Sequence, residues 1–171
     1  MSCTVVLVRH GIAADAKGGS PDAERALTEE GIRKTERAAL GLKEIGIAPD
    51  VVLTSPLRRA EETAQIACRI LAPEGTLEIY PPLAPGHESR EVIDGLRAYR
   101  KAAQILLVGH QPDLGELASY LLTGSGSLVP LPFKKAGAAA ITVASLPPRS
   151  AGVLEWFLTP MQLRAIARAG H

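Results

Sequence analysis

The chain has 171 residues, 46% of them apolar and 22% charged, with a formal net charge of +1. That length suits one domain with a sizeable core, and residues 1–171 are expected to form it. The near-zero balance excludes a global field that would gather nucleic acid or an anionic membrane, though arginines can still cluster locally.

The first apolar run, Val5 to Val8, is continuous rather than alternating, as in a buried parallel strand, and it stops at Arg9, His10 and Gly11. Thr28 is placed to cap a helix whose apolar face is Ile32, Thr35, Ala39, Leu42 and Ile45, with Gly46 at its end. Val51 to Leu53 predict a second strand. Ser55 is then the expected N-cap of a helix, with Pro56 at its first position and Leu57, Ala60, Ala64, Ala67 and Leu71 on one face. "TLEIY" predicts a third strand, ended by Pro81 and Pro82, and Val92, Leu96, Tyr99 and Ala103 mark another helix. "QILLVGHQPDLGELASYLL" reads as a fourth strand, a turn and a helix. "LTGSGSLVPLPFKK" reads as a loop, followed by strands over 138–143 and 153–158 and a helix over 160–168. Strands alternating with helices predict a three-layer α/β/α fold, with a mostly parallel sheet and an antiparallel edge in its last two strands. Cys3 and Cys68 lie far apart without metal-ligand spacing and read as reduced thiols. No apolar run has the length of a membrane span, and Arg9 and His10 interrupt any signal-peptide plan, so a cytoplasmic protein is expected.

Ligands of open α/β sheets bind beyond the carboxyl ends of the strands. Three such ends here carry unusual residues: Arg9-His10-Gly11, Ser55 to Arg59, and Gly109-His110-Gln111. Parallel strands bring all three to one edge. The arginines would repel a metal cation, and neither histidine motif contains Asp or Glu, so no metal and no cofactor is expected. Arginine forks and a helix N-terminus suit a phosphoryl dianion. A neutral imidazole beside it can act as nucleophile, while arginines and a second, protonated histidine steady the transition-state charge.

"LVRHG", "TSPLRRAEET" and "LVGHQP", in this order and each at a predicted strand end, resemble the histidine phosphatase superfamily with its phosphoglycerate-mutase-like fold. "ERALTEEG", "LAPGHE", "WFLTPMQL" and the small size look most like its short bacterial members, the SixA-type protein phosphohistidine phosphatases. The resemblance implies that His10 is the nucleophile, that Arg9 and Arg59 bind the phosphoryl group, and that His110 contacts it during transfer. Arg25 matches an arginine that reaches the phosphate from the first long loop, with a surface salt bridge as the competing reading. Arg58 is expected on the exposed helix face. Many members of the superfamily carry a carboxylic general acid after the third strand; here the expected position falls near Ala84, and His87 and Glu88 are expected to be exposed. A site without an acid can still cleave P–N bonds, because a leaving imidazole takes its proton on the distal nitrogen.

The expected partner is therefore a phosphorylated protein, such as a histidine-containing phosphotransfer domain, with no nucleic acid and no membrane. The alternative is a small-molecule phosphomonoesterase whose acid would be Glu88, His87 or Asp15. A mutase is a weaker reading, and so is a non-catalytic phosphate-binding module, which would have no need of His10. Trp156 and Phe157 read as core or edge-strand residues, Lys134 and Lys135 as a solvated pair with an outside prospect of steering a phosphoprotein, and His171 as inert.

Overall fold

The computed structural model describes residues 2–16 and 18–170; His171 lies outside them. Strands β1 (Cys3–Arg9), β2 (Val51–Thr54), β3 (Thr76–Ile79), β4 (Gln104–Gly109), β5 (Ala138–Val143) and β6 (Val153–Leu158) form one sheet in the order β3, β2, β4, β1, β5, β6. The helices are α1 (Glu29–Glu44), α2 (Arg58–Leu71), α3 (Ser89–Gly95), α4 (Asp113–Thr123) and α5 (Pro160–Ala169). β1 to β4 pair in parallel, and β5 and β6 add an antiparallel edge, as the sequence pattern predicts.

Side-chain alternation divides the core into two layers. Val5 and Leu7 pack with α3 and α4, whereas Val6 and Val8 pack with α1, α2 and α5. β1 is covered on both sides, which is why its sequence is a continuous apolar run. Burying each such valine or leucine is worth roughly 1.5–3 kcal/mol.

Thr28 caps α1 by accepting from Gly31 N at 2.9 Å. The other end closes where Gly46, at φ 83°, takes the left-handed conformation; its N–H donates to Lys43 O and that of Ile47 to Leu42 O. Three expectations need correction. Ile32 and Ile45, assigned to the apolar face of α1, are 39% and 37% exposed, because the helix ends overhang the sheet while Thr35, Ala39 and Leu42 bury its middle. The helix expected over Val92 to Ala103 is α3 followed by a 3₁₀ turn at Leu96–Tyr99. Tyr80 Oη donates to Val92 O at 2.7 Å, taking the acceptor that a continuing α-helix would give to Leu96 N, and Leu96 N bonds to Ile93 O instead. Ser55 and Pro56 precede α2 rather than opening it; Leu57 is the N-cap and its apolar side chain offers no cap bond, while Ser55 Oγ accepts from Leu57 N and meets His110 Nε2.

Candidate active site

Strand register brings the two histidine motifs side by side. Arg9 of β1 lies opposite Gly109 of β4, and His10 N donates to Gly109 O at 3.1 Å. The His10 and His110 rings, both buried, stand 5.1 Å apart between centroids. β2 lies on the other side of β4 and delivers Ser55, whose N–H bonds to Val108 O. In the first turn of α2, the Arg59 side chain is only 7% exposed, whereas Arg58 is exposed and pairs with Glu62. Gly11 leaves room for this crowding: its N–H donates to Thr63 Oγ1 at 3.0 Å, and a Cβ there would collide with Thr35 Oγ1.

Hydrogen bonds fix the tautomer of His10. Nδ1 donates to Gly11 O at 2.7 Å, so the lone pair of the neutral ring is on Nε2, which receives Arg59 Nε–H at 3.3 Å. His110 Nε2 lies 2.7 Å from Ser55 Oγ. That oxygen also accepts from Leu57 N; with its proton given to His110 Nε2, the ring hydrogen is on Nδ1. Burial, then the charges of Arg59, Arg9 and Lys135, push His10 down to about 4, against the raising effect of its Gly11 bond. Burial and the neighbouring His10 push His110 down to about 3. The resting His110 is thus neutral. The charge of Asp22 acts in the raising direction without offsetting burial, so the protonated form expected from sequence is not the resting one.

A cleft of about 540 Å³ opens over these groups, lined by Arg9, His10, Arg25, Arg59 and His110. Asp22, Asp113 and Lys135, which the sequence reading had not placed there, also line it. The Asp22 carboxylate spans two arginines, 2.9 Å from Arg25 Nη1 and 3.0 Å from Arg59 Nη2, and these pairs hold its carboxyl below the usual range. Its spacing from Arg25, three residues, is the one sequence signal that pointed to it. Arg9 Nη1 donates to Phe133 O at 2.8 Å; Arg9 Nε and His110 Nδ1 are buried without a partner among the described residues. Ala84, at the expected acid position, brings no carboxylate. His87 is exposed, pairs with Glu91 at 2.8 Å and lines a small pocket beside the cleft with His110 and Asp113, whereas Glu88 is exposed and lines neither. Asp15 lines a neighbouring hollow. Among the described residues no three His, Cys, Asp or Glu side chains gather as a metal ligand set. No helix is long and apolar enough to cross a membrane among them.

Residues 5–81 match the sequence model of the histidine phosphatase superfamily (branch 1). The phosphohistidine phosphatase SixA of Escherichia coli K12 is 30% identical over 163 residues, covering 94% of this chain and 96% of that one. The chain belongs to the histidine phosphatase superfamily. An uncharacterised protein of Picosynechococcus sp. is 40% identical over 119 residues, 68% of this chain and 71% of that one. The solved structure of the protein histidine phosphatase SixA with tungstate superposes with a TM-score of 0.81 at 28% identity, over 94% of this chain and 99% of the other. A histidine phosphatase of this SixA-like kind is a hydrolase with the phosphoglycerate-mutase-like fold.

Proposed function

We propose that residues 1–171 form one cytoplasmic phosphatase domain that hydrolyses phosphohistidine on another protein through a phosphohistidine intermediate at His10. A histidine-containing phosphotransfer domain is the kind of partner that fits. The observation that carries the reading is His10 itself: a neutral imidazole with Nδ1–H bound to Gly11 O and Nε2 directed at an arginine-lined cleft. The donor set of the cleft suits an oxyanion, and the tungstate bound by the SixA relative is an oxyanion of phosphate shape.

The incoming phosphoryl group displaces Asp22 from Arg59 and Arg25 and takes up their N–H groups, with Arg9 Nε–H and His110 Nδ1–H as further donors. His10 Nε2 attacks phosphorus as the bond to the substrate imidazole breaks. The bonding pair returns to the leaving nitrogen, and that ring departs neutral with its proton on the distal nitrogen. His10 becomes a phosphoimidazolium whose Nδ1–H stays on Gly11 O. Water then attacks phosphorus, the P–Nε2 bond breaks, and inorganic phosphate leaves as His10 returns to its starting form. The steps draw on arginine, histidine and water alone and need neither metal nor cofactor.

Quenching the wild type during turnover of a phosphohistidine protein should trap acid-labile phosphate on His10. His10→Ala should lose turnover and still bind phosphate. Label on any other residue, or an undiminished rate in the variant, would remove His10 from this role.

A further inference from the structure

The catalytic cleft continues on one side into a second groove of about 500 Å³, with Arg9 and Lys135 lining both. Beyond them its walls carry Lys34 from α1, Lys134 from the turn before β5, and Arg164 from α5, with no carboxylate in the lining among the described residues. Glu30 is the neighbouring acid and is paired to Lys34. Lys134, Lys135 and Arg164 make no ion pair among the described residues. On the opposite side, Arg25 joins the cleft to a hollow of about 630 Å³ where Asp15, Glu24 and Glu61 accompany Arg25 and Arg58. The trough across the sheet edge is therefore mixed in charge at one end and purely cationic at the other.

The cationic end is held in place by the catalytic strand. Arg9 Nη1 binds Phe133 O, Ala136 N donates to both Arg9 O and His10 O, and Gly137 N donates to Lys134 O at 2.7 Å. Ala136 is kept at φ 62°, a conformation a non-glycine residue adopts only under such restraint. β6 runs parallel to β1, so α5 starts at the same edge and brings Arg164 to the groove.

We propose that this groove binds a carboxylate-rich segment of the phosphoprotein, next to the phosphorylated histidine. The inference rests on the phosphohistidine-protein reading above. The cations are spread over three elements and reach solvent, which suits several carboxylates along a peptide. A single phosphate dianion needs the convergent, buried donors found at Arg9 and Arg59. The groove lining has no aromatic side chain on which a nucleic-acid base would stack.

The probes are two phosphohistidine peptides of equal length, one flanked by Glu and Asp and one by Gln and Asn, together with p-nitrophenyl phosphate and the unphosphorylated acidic peptide. Wild type should show a KM about tenfold lower for the acidic phosphopeptide than for the neutral one, and salt should erase the difference. The double variant Lys134→Gln/Arg164→Gln should lose that preference and its binding of the unphosphorylated acidic peptide. Its rates on the neutral peptide and on p-nitrophenyl phosphate should stay unchanged, which also shows that it is folded. Equal KM values for the two peptides in wild type, or an equal loss on all substrates in the variant, would overturn the proposal. Binding of the unphosphorylated acidic peptide that depends on Lys134 and Arg164, without turnover of either phosphopeptide, would uphold the groove and overturn the phosphohistidine reading instead.

Discussion

His10, the proposed nucleophile, is kept neutral, and burial contributes more to that than the arginines do. In the unfolded chain a histidine titrates near ~6.5. In the folded protein His10 and His110 are pushed down to about 4 and about 3. The unfolded state therefore binds more protons below that unfolded value. Stability from this source is complete above it and is lost as pH falls toward the folded values. In an NMR titration both rings should remain neutral at pH 5.5, and midpoints near the free value would refute their burial. Asp22 acts in the other direction, as an internal anion on the forks that the proposed mechanism gives to the phosphoryl group. It is 60% exposed, so its pairs are worth at most about 1 kcal/mol. Asp22→Asn should thus tighten vanadate inhibition by up to about fivefold; weaker inhibition would mean that Asp22 chiefly orients Arg59. The histidines and Arg59 were legible because their motifs sit at strand ends. Asp22 and the Ser55 contact to His110 were not, because each depends on a partner more than thirty residues away that local pattern does not reveal.

At the scale of elements, the site exists because parallel pairing aligns the ends of β1, β2 and β4, with α2 beginning beside them. Apolar runs bounded by turns carry that information locally, so the strands and their order of appearance were readable. The break between α3 and the following 3₁₀ turn was not, since it follows from Tyr80, which approaches from outside the helix. The packing of α1 on α5 is likewise tertiary. A Cβ on Gly41 would collide with the Leu163 carbonyl, which is backbone and has little freedom to yield. Gly41→Ala should therefore cost about 1–3 kcal/mol of stability, measured by denaturant midpoint, despite the better helix propensity of alanine. A stabilised variant would show that the helices separate without penalty. Since α5 also carries Arg164, the same variant should weaken binding of the acidic peptide more than hydrolysis of p-nitrophenyl phosphate.

Over the whole molecule, the distribution of carboxylates decides which leaving groups the fold can handle. Two described carboxylates line the cleft. Asp22 is held as an anion between Arg25 and Arg59, and the Asp113 carboxylate accepts from Gly86 N at 2.9 Å. A leaving alkoxide needs a proton in the transition state, and a positioned acid supplies typically ~10²–10⁴-fold. A leaving imidazole or an activated phenolate does not. Phosphohistidine and nitrophenyl phosphate should therefore turn over readily, while phosphoserine and sugar phosphates lag by about 10²-fold or more. The decisive comparison is kcat/KM across a leaving-group series for wild type and Asp113→Asn. Asp113 begins α4 and its carboxylate is engaged by Gly86 N, so the variant should leave the slope of the series unchanged. A loss confined to poor leaving groups would identify Asp113 as the proton donor and turn the site toward ordinary phosphate esters.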